Sequence, residues 1–140
     1  MANFSVTGLS ELYEATSKAK EIPRDVTENI LTKMGRVLEF WVQKRALARH
    51  IWDTGEVVRS IQLGKAKVSR EGGSISVSFK GSRKRGKTTT RNAEIAFINE
   101  FGKKGQDARP FVKEAKEQGE TEADAAGQTA LNEWLDRIGL

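Results

Sequence analysis

From Pro23 onward, Val26, Ile30, Met34, Val37, Leu38 and Trp41 recur at intervals of three and four, and no further proline appears until Pro110. That period predicts one long amphipathic helix over roughly residues 23–49. The pattern then changes. Ile75, Val77 and Phe79 alternate with Ser74, Ser76 and Ser78, the period of a strand with one face buried. Ile61, Leu63 and Val68 precede it, and Gly72-Gly73 reads as the turn, so the two segments form an antiparallel hairpin. Phe4-Ser5-Val6 predicts a short first strand. Ser10 is suited to cap a first helix, with Leu9, Leu12 and Tyr13 inward. Asp53 and Glu56, three apart, fit the capped start of a short helical turn from Gly55 to Ser60.

Residues 81–92 hold five basic side chains and neither an acidic nor an apolar one. Such a segment has nothing to bury, and a mobile basic loop is expected. Residues 93–101 are apolar enough to return to the core as a strand or a short helix, and residues 102–107 read as another exposed loop. Pro110 then opens a final helix, because proline in the first turn loses no needed hydrogen bond. Its apolar stripe is read as Phe111, Ala115, Ala126, Ala130, Leu131, Trp134, Leu135 and Ile138. Gly119 and Gly127 each cost about 1 kcal/mol relative to alanine, which predicts a break near Gly119. These elements predict an α+β fold, a small and mostly antiparallel sheet packed on the long helix and a C-terminal helical segment, 110–138. The length of 140 residues allows one domain, 1–140.

Composition narrows the chemistry. Apolar content is 37% and charged content 31%, a balance for a small core with much open surface, or for one completed by partner subunits. Without cysteine there are no disulfides, thiolate metal sites or cysteine nucleophiles. The single histidine, His50, lies beside Ile51 and Trp52 and reads as a surface or core-edge residue, since acid–base work needs a positioned partner. The inventory lacks the residues from which most active sites are made, and a non-enzyme with no metal, no cofactor and no small-molecule substrate is expected. No apolar run is long enough for a membrane span. Residues 1–6 lack the charged and apolar regions of a secretory signal, so a soluble protein made in the cytoplasm is expected. Net charge is +5, unevenly spread: residues 111–140 hold three basic and seven acidic side chains, −4, which leaves +9 on the first 110. A basic body with an acidic tail suits contact between neighbouring copies, or a basic surface for another partner.

Gly81-Ser82-Arg83-Lys84-Arg85-Gly86-Lys87-Thr88 satisfies the phosphate-binding pattern G-x-x-x-x-G-K-T. The match does not make a nucleotide site. That loop must run straight into a helix, whereas Thr88-Thr89-Thr90 is β-branched and starts a helix poorly. The site also needs a parallel sheet with a second strand ending in a metal-binding Asp, and the visible strands pair as a hairpin. Arg83, Lys84, Arg85, Lys87 and Arg91 instead suit contact with DNA phosphates or with an acidic partner. No aromatic interleaves them, which argues against base stacking, and no sequence-reading motif is present. A small non-specific DNA-binding protein is thus the alternative reading.

Several motifs in order carry a resemblance. Asp53-Thr54-Gly55 leads to Ser60-Ile61; after the hairpin come Ala96 and Glu100-Phe101-Gly102; Pro110-Phe111 opens the last helix. The ordered set resembles the lambdoid-phage gp-ten-like neck, head–tail joining or tail-completion proteins, over essentially the whole chain. The resemblance implies a virion structural protein at the head–tail junction. It would act by docking on other head-completion and tail proteins and by assembling with itself into a ring, sixfold or twelvefold, with the channel DNA nearby. Lys103 departs from the family's Thr or Ser after Glu-Phe-Gly, and the basic segment is longer than the family's connection. Physically the motif residues read as architecture. Asp53 and Thr54 cap a turn, Gly55 and Gly102 permit unusual backbone, and Phe101 and Phe111 anchor the core. Glu100 reads as more than scaffold, with Arg109 as its expected ion-pair partner.

Overall fold

Pro23 stands at the N-cap of the first long helix with φ −55° and ψ 147°, and helix α1 follows as Arg24–Ala48. The computed structural model describes residues 3–6, 22–49, 51, 56–69, 72–85 and 87–139. The helix expected from Ser10, His50 and the Asp53-Thr54-Gly55 turn lie outside the described residues. Thr27 donates its N–H to the Pro23 carbonyl at 3.0 Å and its hydroxyl to the same oxygen at 3.3 Å, closing the first turn. The buried face of α1 runs from Thr27 and Ile30 through Met34, Gly35 and Leu38 to Val42 and Ala46.

A short sheet lies against α1. Its centre is β4, Gly72–Phe79, which pairs antiparallel with β1, Asn3–Val6, on one edge. On the other edge lie β2, Ile61–Leu63, and β3, Lys67–Ser69, two parts of one broken arm. Ile61 faces Phe79 in the register, but Lys67 faces Ser74. Residues 64–66 therefore oppose only Ile75 and Ser76, and the extra residue is a bulge that bends the arm. The Gly64 N–H still reaches the Ser76 carbonyl at 2.8 Å. Alternation holds where it was expected: Ile75, Val77 and Phe79 are buried toward the helices. Gly72 and Gly73, read from sequence as the turn, are instead the first two residues of β4. A Cβ on Gly73 would stand 2.6 Å from Leu31 Cδ1, and one on Gly35 2.6 Å from Leu63 Cδ1. These glycines let helix and sheet approach closely.

Among the described residues three further helices complete the α+β architecture. A single turn, α2 (Glu56–Arg59), leads into β2, and α3 (Asn92–Phe101) and α4 (Phe111–Arg137) follow the sheet. Helix α4 runs antiparallel along α1, with Glu114 beside Arg45, Glu122 beside Trp41 and Gly127 beside Met34. The break expected at Gly119 does not occur. Gly119, Ala123 and Gly127 lie at a spacing of four on the buried face, where helix backbone meets α1 side chains. A Cβ at Gly119 would come within 2.7 Å of Trp41 Cδ1, and one at Gly127 within 2.7 Å of Met34 Sδ. The cost of glycine in a helix is thus offset by closer packing. The stripe read from sequence shifts accordingly: these small residues are buried, whereas Ile138 is exposed.

The core has two parts. Phe111, Val112, Ala115, Val42, Ala46, Val77, Phe79 and Ala96 gather where α3, the sheet and the start of α4 meet. Ile30, Leu31, Met34, Leu38, Ile75, Ala130 and Leu131 fill the other end. Phe79 and Phe111 meet edge to face, ring centres 5.9 Å apart, within the favourable range for such pairs.

Gly119→Ala gives the packing argument its sign. On a free helix the change stabilises by about 1 kcal/mol, whereas crowding against a fixed ring costs about 1–3 kcal/mol. We expect a net loss of about 1 kcal/mol in urea unfolding; a gain would contradict close approach at Trp41.

Candidate interaction site

At one end of the molecule, three of the motif segments meet. Helix α3 starts directly after the basic segment, and its first residue is pinned from two sides. The Asn92 N–H donates to the Gly81 carbonyl at 3.0 Å, and its side-chain amide donates to the Lys80 carbonyl at 3.0 Å. Ala96, Asn99 and Glu100 then face inward while Phe97 and Phe101 face out. Phe101, expected in the core, is 61% exposed and packs against the exposed Phe97, the rings tilted at 49° with centres 4.8 Å apart. The reason is helical phase: Glu100 takes the inward position next to it. Phe111 is fully buried, as its motif position implied.

Glu100 performs a capping role that chain order conceals. Its carboxylate accepts the Val112 N–H at 2.8 Å and the Lys113 N–H at 3.0 Å. These are first-turn amides of α4, donors that no carbonyl within the helix can satisfy. Pro110, at the N-cap, makes no side-chain cap bond, so a carboxylate from α3 supplies what a Ser or Asp N-cap usually would. Negative charge there also suits the positive end of the helix dipole. The expected Glu100–Arg109 pair is replaced by this arrangement. Arg109 instead donates its N–H to the Asn99 carbonyl at 2.6 Å and its guanidinium to the Arg49 carbonyl at 3.4 Å.

Between the two helices the chain turns within a small space. Gly102 adopts φ 78° and ψ 176°, a region essentially reserved for glycine. A Cβ there would lie 2.9 Å from the Ala108 nitrogen and 3.0 Å from the Gln106 carbonyl oxygen. Lys103 and Gln106 close the next turn by reciprocal main-chain bonds of 3.0 and 2.9 Å. This turn closes through main-chain bonds alone and needs no hydroxyl at position 103. Asn99 completes the joint, donating to the Ile95 carbonyl at 2.8 Å and accepting from Gln106 at 3.5 Å.

Of the remaining motif residues, Ser60 is buried and its hydroxyl donates to the Val57 carbonyl at 2.6 Å, while its own carbonyl accepts the Lys80 N–H at 2.9 Å. Ile61 and Ala96 are core residues.

Electrostatics divide the two carboxylates of this end. Burial pushes the Glu100 carboxyl above its ordinary value, against the opposing pull of the Val112 and Lys113 N–H bonds. Glu114, one turn into α4, is held below its ordinary value, first by its bond from Arg49 and also by Arg45. Arg49 Nε reaches Glu114 Oε1 at 2.7 Å, and Arg45 binds the other oxygen. The cationic C-terminal turns of α1 are thereby fastened to the acidic N-terminal turn of α4. Both charges also suit the helix ends on which they sit.

The basic segment, expected as a polar loop, is a hairpin. Strand β5, Ser82–Arg85, pairs antiparallel with β6, Thr88–Arg91, with Ser82 opposite Arg91 and Arg85 opposite Thr88. Its hydrogen bonds are main-chain bonds, so a wholly polar sequence can form it once a two-residue connection sets the register. The β-branched threonines that disfavour a helix favour this strand. Lys84 and Lys87 are exposed, and Arg91 pairs with Glu94 at 3.3 Å. The G-x-x-x-x-G-K-T match thus runs from strand into strand rather than into the phosphate-facing start of a helix.

Among the described residues no three His, Cys, Asp or Glu side chains are grouped to hold a metal ion, and no helix is long and apolar enough to cross a membrane. Compared with protein-family models, curated proteins and solved structures, the chain matches none.

Two expectations follow from this end of the molecule. Glu100→Ala strands two main-chain donors and should cost about 2–3 kcal/mol in chemical denaturation. Glu100→Gln keeps one acceptor and should cost less; equal stability of Glu100→Ala and the parent would rule out the cap. For Glu114 the depressed value means that, just below pH 4.5, the unfolded chain takes up a proton that the folded chain refuses. Stability from this group is complete above that value and is lost as pH falls through the folded one. Glu114→Gln should therefore flatten the acid limb of stability against pH, and an unchanged limb would contradict the Arg45–Glu114–Arg49 clamp.

Proposed function

We propose that this chain is a phage structural protein of the head–tail junction, a neck or tail-completion component that acts by docking and ring assembly. The observation that carries the reading is the joint at Glu100. The Glu-Phe-Gly and Pro-Phe motifs, ten residues apart in sequence, are engaged in capping, turning and packing against one another. A signature used in this way preserves a shape, as a docking protein requires, and the ordered motif set is what resembles the gp-ten-like neck family.

The surfaces left over suit assembly. Phe97 and Phe101 form an exposed aromatic pair on α3, and Phe40 and Leu47 are exposed on α1. Exposed Glu117, Glu120 and Asp124 give α4 an acidic outer side, while Lys33, Arg36 and Lys44 make α1 basic. Unlike surfaces on one molecule permit head-to-tail contact between copies, and a fixed rotation per subunit closes such contacts into a ring. Other head-completion and tail proteins would dock above and below it. In this role the protein needs no cofactor, metal or small-molecule substrate, and its place is the virion, assembled in the host cytoplasm.

Electron microscopy of lysates from the source phage or prophage, with this gene disrupted, tests the reading. We expect DNA-filled heads beside unattached tails, or tails unable to join added heads. Normal infectious particles would overturn it.

A further inference from the structure

From Gly72 to Ala93 the chain contains Lys80, Arg83, Lys84, Arg85, Lys87 and Arg91 and no acidic residue. Most of this charge lies in the β5–β6 hairpin, whose strands contain only Ser, Thr, Arg and Lys. An isolated two-stranded hairpin is marginal in water even with apolar cross-strand pairs. This one has none, and its like charges repel. Its order comes from the four-pair main-chain ladder and from Asn92, which ties the base of the hairpin to Lys80 and Gly81. A partner of dense negative charge would relieve the repulsion.

We propose that the β5–β6 ribbon is a sequence-independent binding arm for double-stranded DNA. The inference does not rest on the head–tail reading. Duplex DNA carries one charge per roughly 1.7 Å of its axis, so several cations on a short ribbon each find a phosphate and release a counterion. Four residues per strand extend about 14 Å, and a two-stranded ribbon is a shape that the major groove, about 12 Å wide, admits. Lys84 and Lys87 are exposed, and the exposed Ser82, Thr88 and Thr89 add hydroxyl donors for phosphate oxygens. A protein partner fits less well. Interface cores are enriched in aromatic residues and Met and depleted in Lys, and the ribbon offers no apolar side chain at all. Single strands fit less well too, because no aromatic in the ribbon can stack on a base.

The test uses the full chain and a fluorescent 30-base-pair duplex of random sequence, with affinity measured from 50 to 200 mM salt. We expect micromolar binding at 50 mM that falls steeply with salt, independent of sequence. Lys84→Ala with Lys87→Ala should weaken binding about tenfold at 50 mM and make the log–log salt slope shallower by about 1.8, or 0.9 per phosphate contact. Lys33→Ala with Arg36→Ala removes the same charge from the exposed side of α1 and should leave the slope unchanged. Both pairs are exposed, and circular dichroism checks that both variants fold. Equal losses in the two variants would mean diffuse attraction by net charge and would overturn the proposal. So would a ribbon variant that loses self-association while the parent shows no DNA affinity, since the arm would then serve a second copy. Failure of DNA binding would leave the lysate phenotype untouched, so the two readings fail separately.

Discussion

Glu100 fixes the point at which the last helix begins, and the rest of the fold is arranged around that point. A helix start buried against a core must satisfy its first amides or lose on the order of 1–3 kcal/mol for each. Pro110 cannot donate and does not cap, so the acceptor has to come from elsewhere. The carboxylate at the end of α3 supplies it to Val112 and Lys113. Once α4 is seated there, Phe111 drops into the core beside Phe79, Glu114 meets Arg45 and Arg49, and the glycine face lies along α1. The burial that disfavours the Glu100 charge also keeps water from competing for its two bonds.

The same end of the molecule shows how opposing effects are balanced. Glu100 and Glu114 lie close enough for each charge to raise the cost of the other, yet their surroundings separate them. Glu100 faces main-chain donors in a buried site, and Glu114 faces two guanidinium groups nearer the surface. One acidic residue therefore caps a helix while the other joins it to its neighbour. Trp41 extends that join, donating its indole N–H to Glu122 at 2.8 Å while Lys44 lies 4.6 Å above its ring centre.

Much of this architecture was legible in the chain. Strict periods of 3.6 and 2 gave the long helix and the central strand, because each buries one continuous face. Pro23 and Pro110 marked starts that the structure keeps. What the pattern could not reveal was anything set by a distant partner. Gly119 and Gly127 read as weak points because propensity is local, and only the presence of Trp41 and Met34 opposite makes them contacts. Gly72 and Gly73 read as a turn for the same reason, with Leu31 unseen across the interface. The donors that Glu100 accepts from are main-chain amides twelve and thirteen residues further on, beyond the reach of local pattern, and Arg109 stood as its expected partner instead. The hairpin leaves no mark in the hydrophobic pattern, which says nothing about an element held by main-chain bonds alone.

Hydrogen exchange at the Val112 and Lys113 amides tests the central claim most directly. First-turn amides of a helix ordinarily exchange fast, because no carbonyl within the helix holds them. If the Glu100 carboxylate seats α4, both amides should exchange only through large-scale unfolding, as slowly as amides in the middle of α1. Exchange at the rate of an open helix terminus would mean that the cap is not formed, and the account of the joint would be wrong.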